Sequence, residues 1–377
     1  MEREGKGGFT LVARDGEARR GRLLTRHGAV DTPAFMPVGS KGAVKAMAPD
    51  ELWTLGYRLI LANAYHLNQR PGEQLVRELG GLHRFMGWRG ALLTDSGGYQ
   101  TLSLAKLTSI GENGVLLRSH IDGKQVELTP EGVAAMQRAL GVDIMMTLDE
   151  CAPYPASAEQ VLRSVELTTR WAERSLEVER GCGQAMFAIV QGGVYPHLRK
   201  LSARQLTALP FEGFAVGGLA VGEPKAQMLD TAALAGELLP QDRPRYLMGV
   251  GTPQDLLAAI ALGYDLFDCV LPTRNARNGS AFTCRGAISV KRARYARDPM
   301  PLDEACSCRP CRSFSRAYLR HLYLSGEILA ARALTEHNLF FYGRLMSQAR
   351  AAIASGAYQA FWRAWLGRMG ESAGERE

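Results

Sequence analysis

Eight short apolar runs punctuate the chain, and each ends on a glycine, an amide or a carboxylate. They are Ala34–Val38 before Gly39, Arg58–Ala62 before Asn63, Ala91–Thr94 before Asp95, and Asp143–Leu148 before Asp149. Ala185–Val190 before Gln191, Gly213–Val216 before Gly217-Gly218, Arg245–Met248 before Gly249, and Leu266–Phe267 before Asp268 complete the set. Near-continuous apolar runs, without polar alternation, mark strands buried on both faces. Between most of them the apolar spacing is helical, as over Thr129–Leu140, Ala158–Arg180, Tyr195–Ala208, Lys225–Leu239 and Pro253–Leu262. Eight strands alternating with helices predict an α/β chain folded as a (β/α)8 TIM barrel. A doubly wound sheet fits less well, because no GxGxxG follows the first strand.

Two segments break the alternation. Ser109–Glu127 carries Asn113-Gly114 and Asp122-Gly123 turn signals between short alternating runs, which predicts a hairpin inserted near 109–127 after the third strand. Asn275–Leu334 is the second interruption. The expected division is a barrel over 1–274, an inserted subdomain over 275–337 and C-terminal helices over 338–377, with helical pattern at His337–Ala354 and Tyr358–Met369. Hydrophobic residues make up 46% and charged residues 22%, enough for a large core and too apolar for bulk disorder. No apolar run reaches the roughly 20 residues of a membrane span, and the first residues lack a signal-peptide pattern, so a soluble cytoplasmic protein is expected.

The formal charge is +7, and it is concentrated. Arg274, Arg277, Arg285, Lys291, Arg292, Arg294 and Arg297 fall in one stretch with no acid, and without them the chain would be formally neutral. One localised anion-binding surface is implied. Of the seven cysteines, Cys306, Cys308 and Cys311 form C-x-C-x2-C, which suits a tetrahedral metal more than a disulfide framework. The fourth ligand is His337, just past Thr335 read as a helix N-cap, with His321 as its rival inside an amphipathic run. Four protein ligands leave no open position, so one structural zinc per chain is expected. Cys151, Cys182, Cys269 and Cys284 read as buried thiols.

In a (β/α)8 barrel, chemistry gathers at the C-terminal ends of the strands. Asp95, Asp149 and Asp268 are expected to converge there. Two carboxylates suit attack at a glycosidic carbon, one as nucleophile and one managing the proton of the leaving group. The third, beside Gln191 and Gly217-Gly218, suits a purine reader. An ionised Asp accepts from the ring N–H and exocyclic amine of guanine, while an amide and a free backbone N–H donate to its carbonyl. Tyr99 and Met248 offer flat or polarizable faces for the heterocycle.

The motifs NAYHL (63–67), TDSGGYQ (94–100), DECAPYP (149–155), QGG (191–193), VGGLAVGE (216–223), MGVG (248–251) and FDCVLPTRNARNG (267–279), with the Cys3His pattern, resemble those of the bacterial tRNA-guanine transglycosylases (queuine tRNA-ribosyltransferases) over almost the whole chain. That resemblance implies a zinc-containing homodimer exchanging guanine at the wobble position of tRNAs with GUN anticodons for 7-aminomethyl-7-deazaguanine, in queuosine biosynthesis. It implies Asp268 as nucleophile, through a covalent ribosyl-Asp intermediate, and Asp95 as general acid/base. It places Asp149, Gln191, Gly218 and Leu219 on the base, with the Leu219 carbonyl facing the aminomethyl group. Ser96, Tyr99 and Met248 would line the pocket. Cys151 and Val221 would restrict it to the small base, since members accepting bulkier queuine tend to have Gly at the position of Val221. Arg274 and Arg277 would read neighbouring uridines, leaving Arg285, Lys291, Arg292 and Arg294 for phosphates. The alternative is a non-catalytic tRNA-binding subunit of such an enzyme, against which the retention of all three aspartates argues.

Overall fold

The computed structural model describes residues 8–98, 108–119 and 123–371. Three strands lead the chain: β1 (Phe9–Asp15), β2 (Ala18–Thr25) and β3 (Gly28–Thr32). The first barrel strands follow as β4 (Ala34–Gly39), β5 (Leu59–Asn63) and β6 (Ala91–Asp95). Then come β7 (Thr108–Gly111), β8 (Gly114–Arg118) and β9 (Gln125–Leu128), outside the barrel. It resumes with β10 (Ile144–Met146), β11 (Ala185–Val190), β12 (Gly213–Val216), β13 (Arg245–Leu247) and β14 (Leu266–Cys269). These eight parallel strands close on themselves, β14 pairing back to β4, with helices outside. The (β/α)8 architecture is thus the one the apolar runs predict, each run supplying one strand in order.

Two buried faces explain the unbroken apolar runs. One residue set points into the barrel, among them Leu61, Leu93, Ile189, Tyr246 and Leu266, and the intervening set packs against the helices. Side chains alternate with a period of two. Two residues beyond each of those inward positions lie Asn63, Asp95, Gln191, Met248 and Asp268. The polar mouth therefore continues the inward row of the apolar core.

The opposite end is plugged by the antiparallel sheet β1–β3, whose Phe9, Leu23 and Val30 join the interior cluster. Gly21 makes room for the plug, because a Cβ there would lie 2.4 Å from the Phe9 ring. His27, in the β2–β3 turn, stacks on His83 with ring centroids 3.6 Å apart. Each imidazole meets one oxygen of buried Asp143, at 2.8 and 3.0 Å, and Asp143 also accepts the Leu92 N–H. This ties the plug to the barrel floor.

The insertion after the third barrel strand is a three-stranded antiparallel sheet, where a two-stranded hairpin was expected: β9 adds to β8. Two turn signals delimit three strands. At the other end of the chain, the helix Ile328–Ala354 runs through residue 337, so Thr335 is a buried mid-helix residue and not an N-cap. The apolar positions Ala330, Ala333 and Leu334 extend the pattern N-terminal to His337. Among the described residues no helix is long and apolar enough to cross a membrane.

Candidate active site

Asp268 is the penultimate residue of β14, in the inward row, and its Oδ1 accepts the Tyr246 hydroxyl at 2.6 Å and the Gly249 N–H at 2.9 Å. Burial raises its pKa, and these two donors work against that rise by favouring the carboxylate. An ion pair with Arg274 would have been the ordinary explanation for an Asp here, but among the described residues Arg274 is exposed and unpaired with any acid. The carboxylate is therefore directed by a phenol and a backbone amide, with oxygen lone pairs left for substrate.

Asp95 ends β6 and is only partly exposed. Its carboxylate accepts the Asn63 side-chain amide and, at 3.1 Å, the Ala64 N–H. Burial pushes its pKa to about 8, with Asp268 and Asp149 adding negative charge nearby and the two hydrogen bonds opposing. At neutral pH Asp95 therefore carries a proton and can act as an acid. Asn63 does two tasks, since its Oδ1 also caps the helix Ala64–Gln69 by accepting the His66 N–H at 2.9 Å.

Asp149 is 5% exposed and accepts Ser96 Oγ at 3.0 Å and Gln191 Nε2 at 2.7 Å. Its pKa rises to about 6 through burial, less than it would without those donors, so it stays largely ionised at pH 7. A Cβ on Gly98 would come 2.1 Å from Asp149 Oδ1, so the glycine admits the carboxylate. Gly217 and Gly218 do the same for Gln191: added Cβ atoms would lie 2.7 Å and 2.4 Å from its amide. Gly218, at φ +64°, turns the chain toward buried Leu219. Cys151 is buried beside this cluster, its thiol pushed up to about 12 and hence neutral. Met248 is half-buried on top of the barrel interior, and Val221 is likewise half-buried. Tyr99 lies outside the described residues.

Several contributors were not singled out from the sequence. Asn63 and Tyr246 carried a legible signal, their place in the inward row. Glu223 accepts both the Ala220 N–H and the Val221 N–H, at 2.5 and 3.0 Å, holding Ala220 at φ +57°. Arg199, fully buried on the helix Pro196–Thr207, donates to the carbonyls of Gly193 at 2.8 Å, Val190 at 2.9 Å and Gly218 at 3.3 Å. Burial lowers its pKa to about 10, leaving it charged at neutral pH. From sequence it looked like one more arginine on an amphipathic helix.

Cys306, Cys308, Cys311 and His337 form one buried group able to hold a metal ion. His337 Nδ1 stands 3.8, 3.4 and 3.3 Å from the three sulfurs. A tetrahedral zinc with Zn–S near 2.3 Å and Zn–N near 2.05 Å separates S from N by about 3.6 Å, so the spacing fits. Nε2 of His337 meets the Phe282 carbonyl at 2.7 Å, which fixes the tautomer with Nδ1 toward the sulfurs. His321 is not part of the group. The other cysteines depart from the expectation of four buried thiols: Cys151 is buried, Cys269 and Cys284 are half-buried, and Cys182 is exposed. Cys182 sits in a Gly-Cys-Gly loop with little around it to cover it.

All seven basic residues of the 274–297 stretch are exposed, and among the described residues none forms an ion pair. Arg294 lies over the Tyr295 ring and Lys291 over Tyr323.

A buried Asp95 that holds its proton to about pH 8, with Asp268 directed by two donors at the same barrel mouth, suits an enzyme of acid–base chemistry. The family described as Queuine tRNA-ribosyltransferase matches residues 15–371. A Queuine tRNA-ribosyltransferase of Solidesulfovibrio magneticus is 54% identical over 94% of this chain and 96% of its own length. One from Sorangium cellulosum is 56% identical over 95% and 91%, and one from Nitratidesulfovibrio vulgaris 53% over 95% and 96%. The chain belongs to the queuine tRNA-ribosyltransferase family and is an enzyme of the pentosyltransferase class.

Proposed function

We propose that this enzyme exchanges guanine at the wobble position of tRNAs with GUN anticodons for 7-aminomethyl-7-deazaguanine, through a covalent ribosyl-Asp268 intermediate. The observation that carries the reading is the contrast between the two carboxylates: Asp268 is held as an acceptor by Tyr246 and Gly249, while Asp95 retains its proton to about pH 8. An Asp268 oxygen attacks C1′ of the ribose as the C1′–N9 bond breaks. The departing guanine takes the Asp95 proton. Asp95, now a carboxylate, removes a proton from the incoming base, whose nitrogen attacks C1′ and releases Asp268. Two inversions retain the anomeric configuration, as a nucleoside product demands.

Asp149 would accept from the base's N1–H and 2-amino group, with Gln191 and the Gly218 N–H donating to its carbonyl. Ser96, Met248, Leu219, Cys151 and Val221 complete the pocket, Cys151 and Val221 limiting it to the small base. Tyr99 is assigned to it from sequence alone. Arg274 and Arg277 would read bases beside the wobble nucleotide, and Arg285, Lys291, Arg292 and Arg294 would hold phosphates. Zinc in the Cys3His group would supply structure only, and the working unit would be a homodimer.

The test is Asp268→Asn. Wild type should trap a tRNA adduct on a denaturing gel and incorporate radiolabelled guanine as the purified chain alone, whereas the variant should do neither. An adduct with the variant removes Asp268 as nucleophile. No incorporation by wild type would favour the accessory-subunit alternative.

A further inference from the structure

The most unusual buried group near the mouth is Arg199. It is 0% exposed, and among the described residues no carboxylate lies within ion-pair distance of it. A buried cation is normally tolerated beside an anion. Arg199 instead spends its guanidinium on three backbone carbonyls, those of Val190, Gly193 and Gly218. The first ends β11, the second lies in the loop after β11 and the third in the loop after β12. Gln191 and Gly218, the groups assigned to the carbonyl of the base, sit on those same loops, with Leu219 next in the chain.

The remaining local bonds turn this into a single frame. The Gln191 N–H donates to Ser202 Oγ at 3.1 Å, from the same helix that carries Arg199. The Val190 carbonyl accepts both Arg199 and the Gly217 N–H, the latter at 3.1 Å, so the two loops are stitched at one oxygen. The helix sits directly on Gly192, where a Cβ would come 2.7 Å from the Arg199 N atom. The backbone on either side of Gln191, whose side chain itself donates to Asp149 at 2.7 Å, and the 218–219 peptide are thus held by one fork of donors. A lysine, with a single nitrogen on a flexible stem, cannot span three divergent carbonyls in the same way.

We propose that Arg199 is a positioning residue that sets the specificity of the base pocket, by locking the two loops whose donors read the carbonyl of a guanine-type base. The inference rests on the base-exchange reading above. It concerns recognition of the free base and not attachment of the tRNA, because Arg199 touches neither the basic stretch nor the Cys3His group.

The experiment measures steady-state base exchange into tRNA with guanine and with 2,6-diaminopurine, which replaces the carbonyl by an amine. Wild type, Arg199→Lys and Arg199→Met are compared, with melting temperatures as the fold check. In Arg199→Met we expect KM for guanine to rise at least tenfold and the preference for guanine over 2,6-diaminopurine to shrink at least tenfold. KM for tRNA should stay within twofold, and Arg199→Lys should fall between the two. Should Arg199→Met fail to fold, the same comparison is made with Arg199→Lys. Unchanged guanine KM and base preference in a folded variant would overturn the role of Arg199 alone, as would a uniform loss in kcat with the preference intact. Failure of wild type to incorporate guanine would overturn the exchange reading, and this inference with it.

Discussion

An aspartic acid with a pKa of about 8 sets the direction of a pH profile. Guanine release should be flat below that value and fall about tenfold per unit above it, as the acid form of Asp95 is titrated away. Asn63 donates to the carboxylate and so lowers this pKa; Asn63→Ala should therefore move the alkaline limb to higher pH. The same change deletes the cap on Ala64–Gln69 and should cost about 1 kcal/mol of stability. Single-turnover release against pH, with a melting curve beside it, checks both. A limb that stays put or moves down would remove Asp95 as the titrating acid. Stability follows the opposite sign from a salt-bridged acid: between about pH 4 and pH 8 the folded chain holds a proton on Asp95 that the unfolded chain has lost, so stability declines as pH rises through that window. At this scale, the aspartates were readable because each ends an apolar run. Glu223 and Arg199 were not, because they act on backbone groups, and nothing in residue order tells which carbonyls a folded loop will present.

The barrel strands were legible for the same reason that their ends are reactive: a strand buried on both sides tolerates few polar residues until it emerges. The plug sheet β1–β3 was not legible. β2 carries three arginines and the sheet faces solvent on one side, so among its larger apolar side chains only Phe9, Leu23 and Val30 are buried. The helix Ile328–Ala354 was half-read, because its start was assigned to Thr335 when the apolar positions continue back through Ala330. That helix holds His337 among the three thiols, and nearby Asn338 accepts the Phe282 N–H and donates to the carbonyls of Pro272 and Ser280. His337→Ala should therefore release the metal and lower the melting temperature by about 5 °C or more, with exchange activity falling in parallel. Metal analysis and calorimetry together decide this. Retention of a full equivalent of metal at unchanged melting temperature would show that His337 is no ligand.

For the molecule as a whole, charge is the property that sequence reported best. The stretch without acids folds into a surface on which all seven cations remain exposed, immediately after the β14 strand that carries Asp268. Binding of tRNA should weaken steeply with salt, and each of Arg285, Lys291, Arg292 and Arg294 that holds a phosphate should reduce the log–log slope by about 0.7–0.9 when replaced by alanine. Binding isotherms at several salt concentrations test this. Four replacements without any change in slope would leave the stretch as solvated surface.

The 27-residue helix has a further consequence. Beyond His337 it enters the barrel wall, where Tyr342 donates to the Gly251 carbonyl at 2.5 Å and the Leu339 carbonyl accepts Tyr57 at 2.7 Å. Gly251 is two residues from Gly249, whose amide holds Asp268. The Cys3His group and the loop that holds Asp268 are thus pinned by one rigid rod. No cut in the chain can excise the cysteine-bearing segment as a transplantable cassette, or leave behind a trimmed barrel, without severing a support that the reaction centre shares.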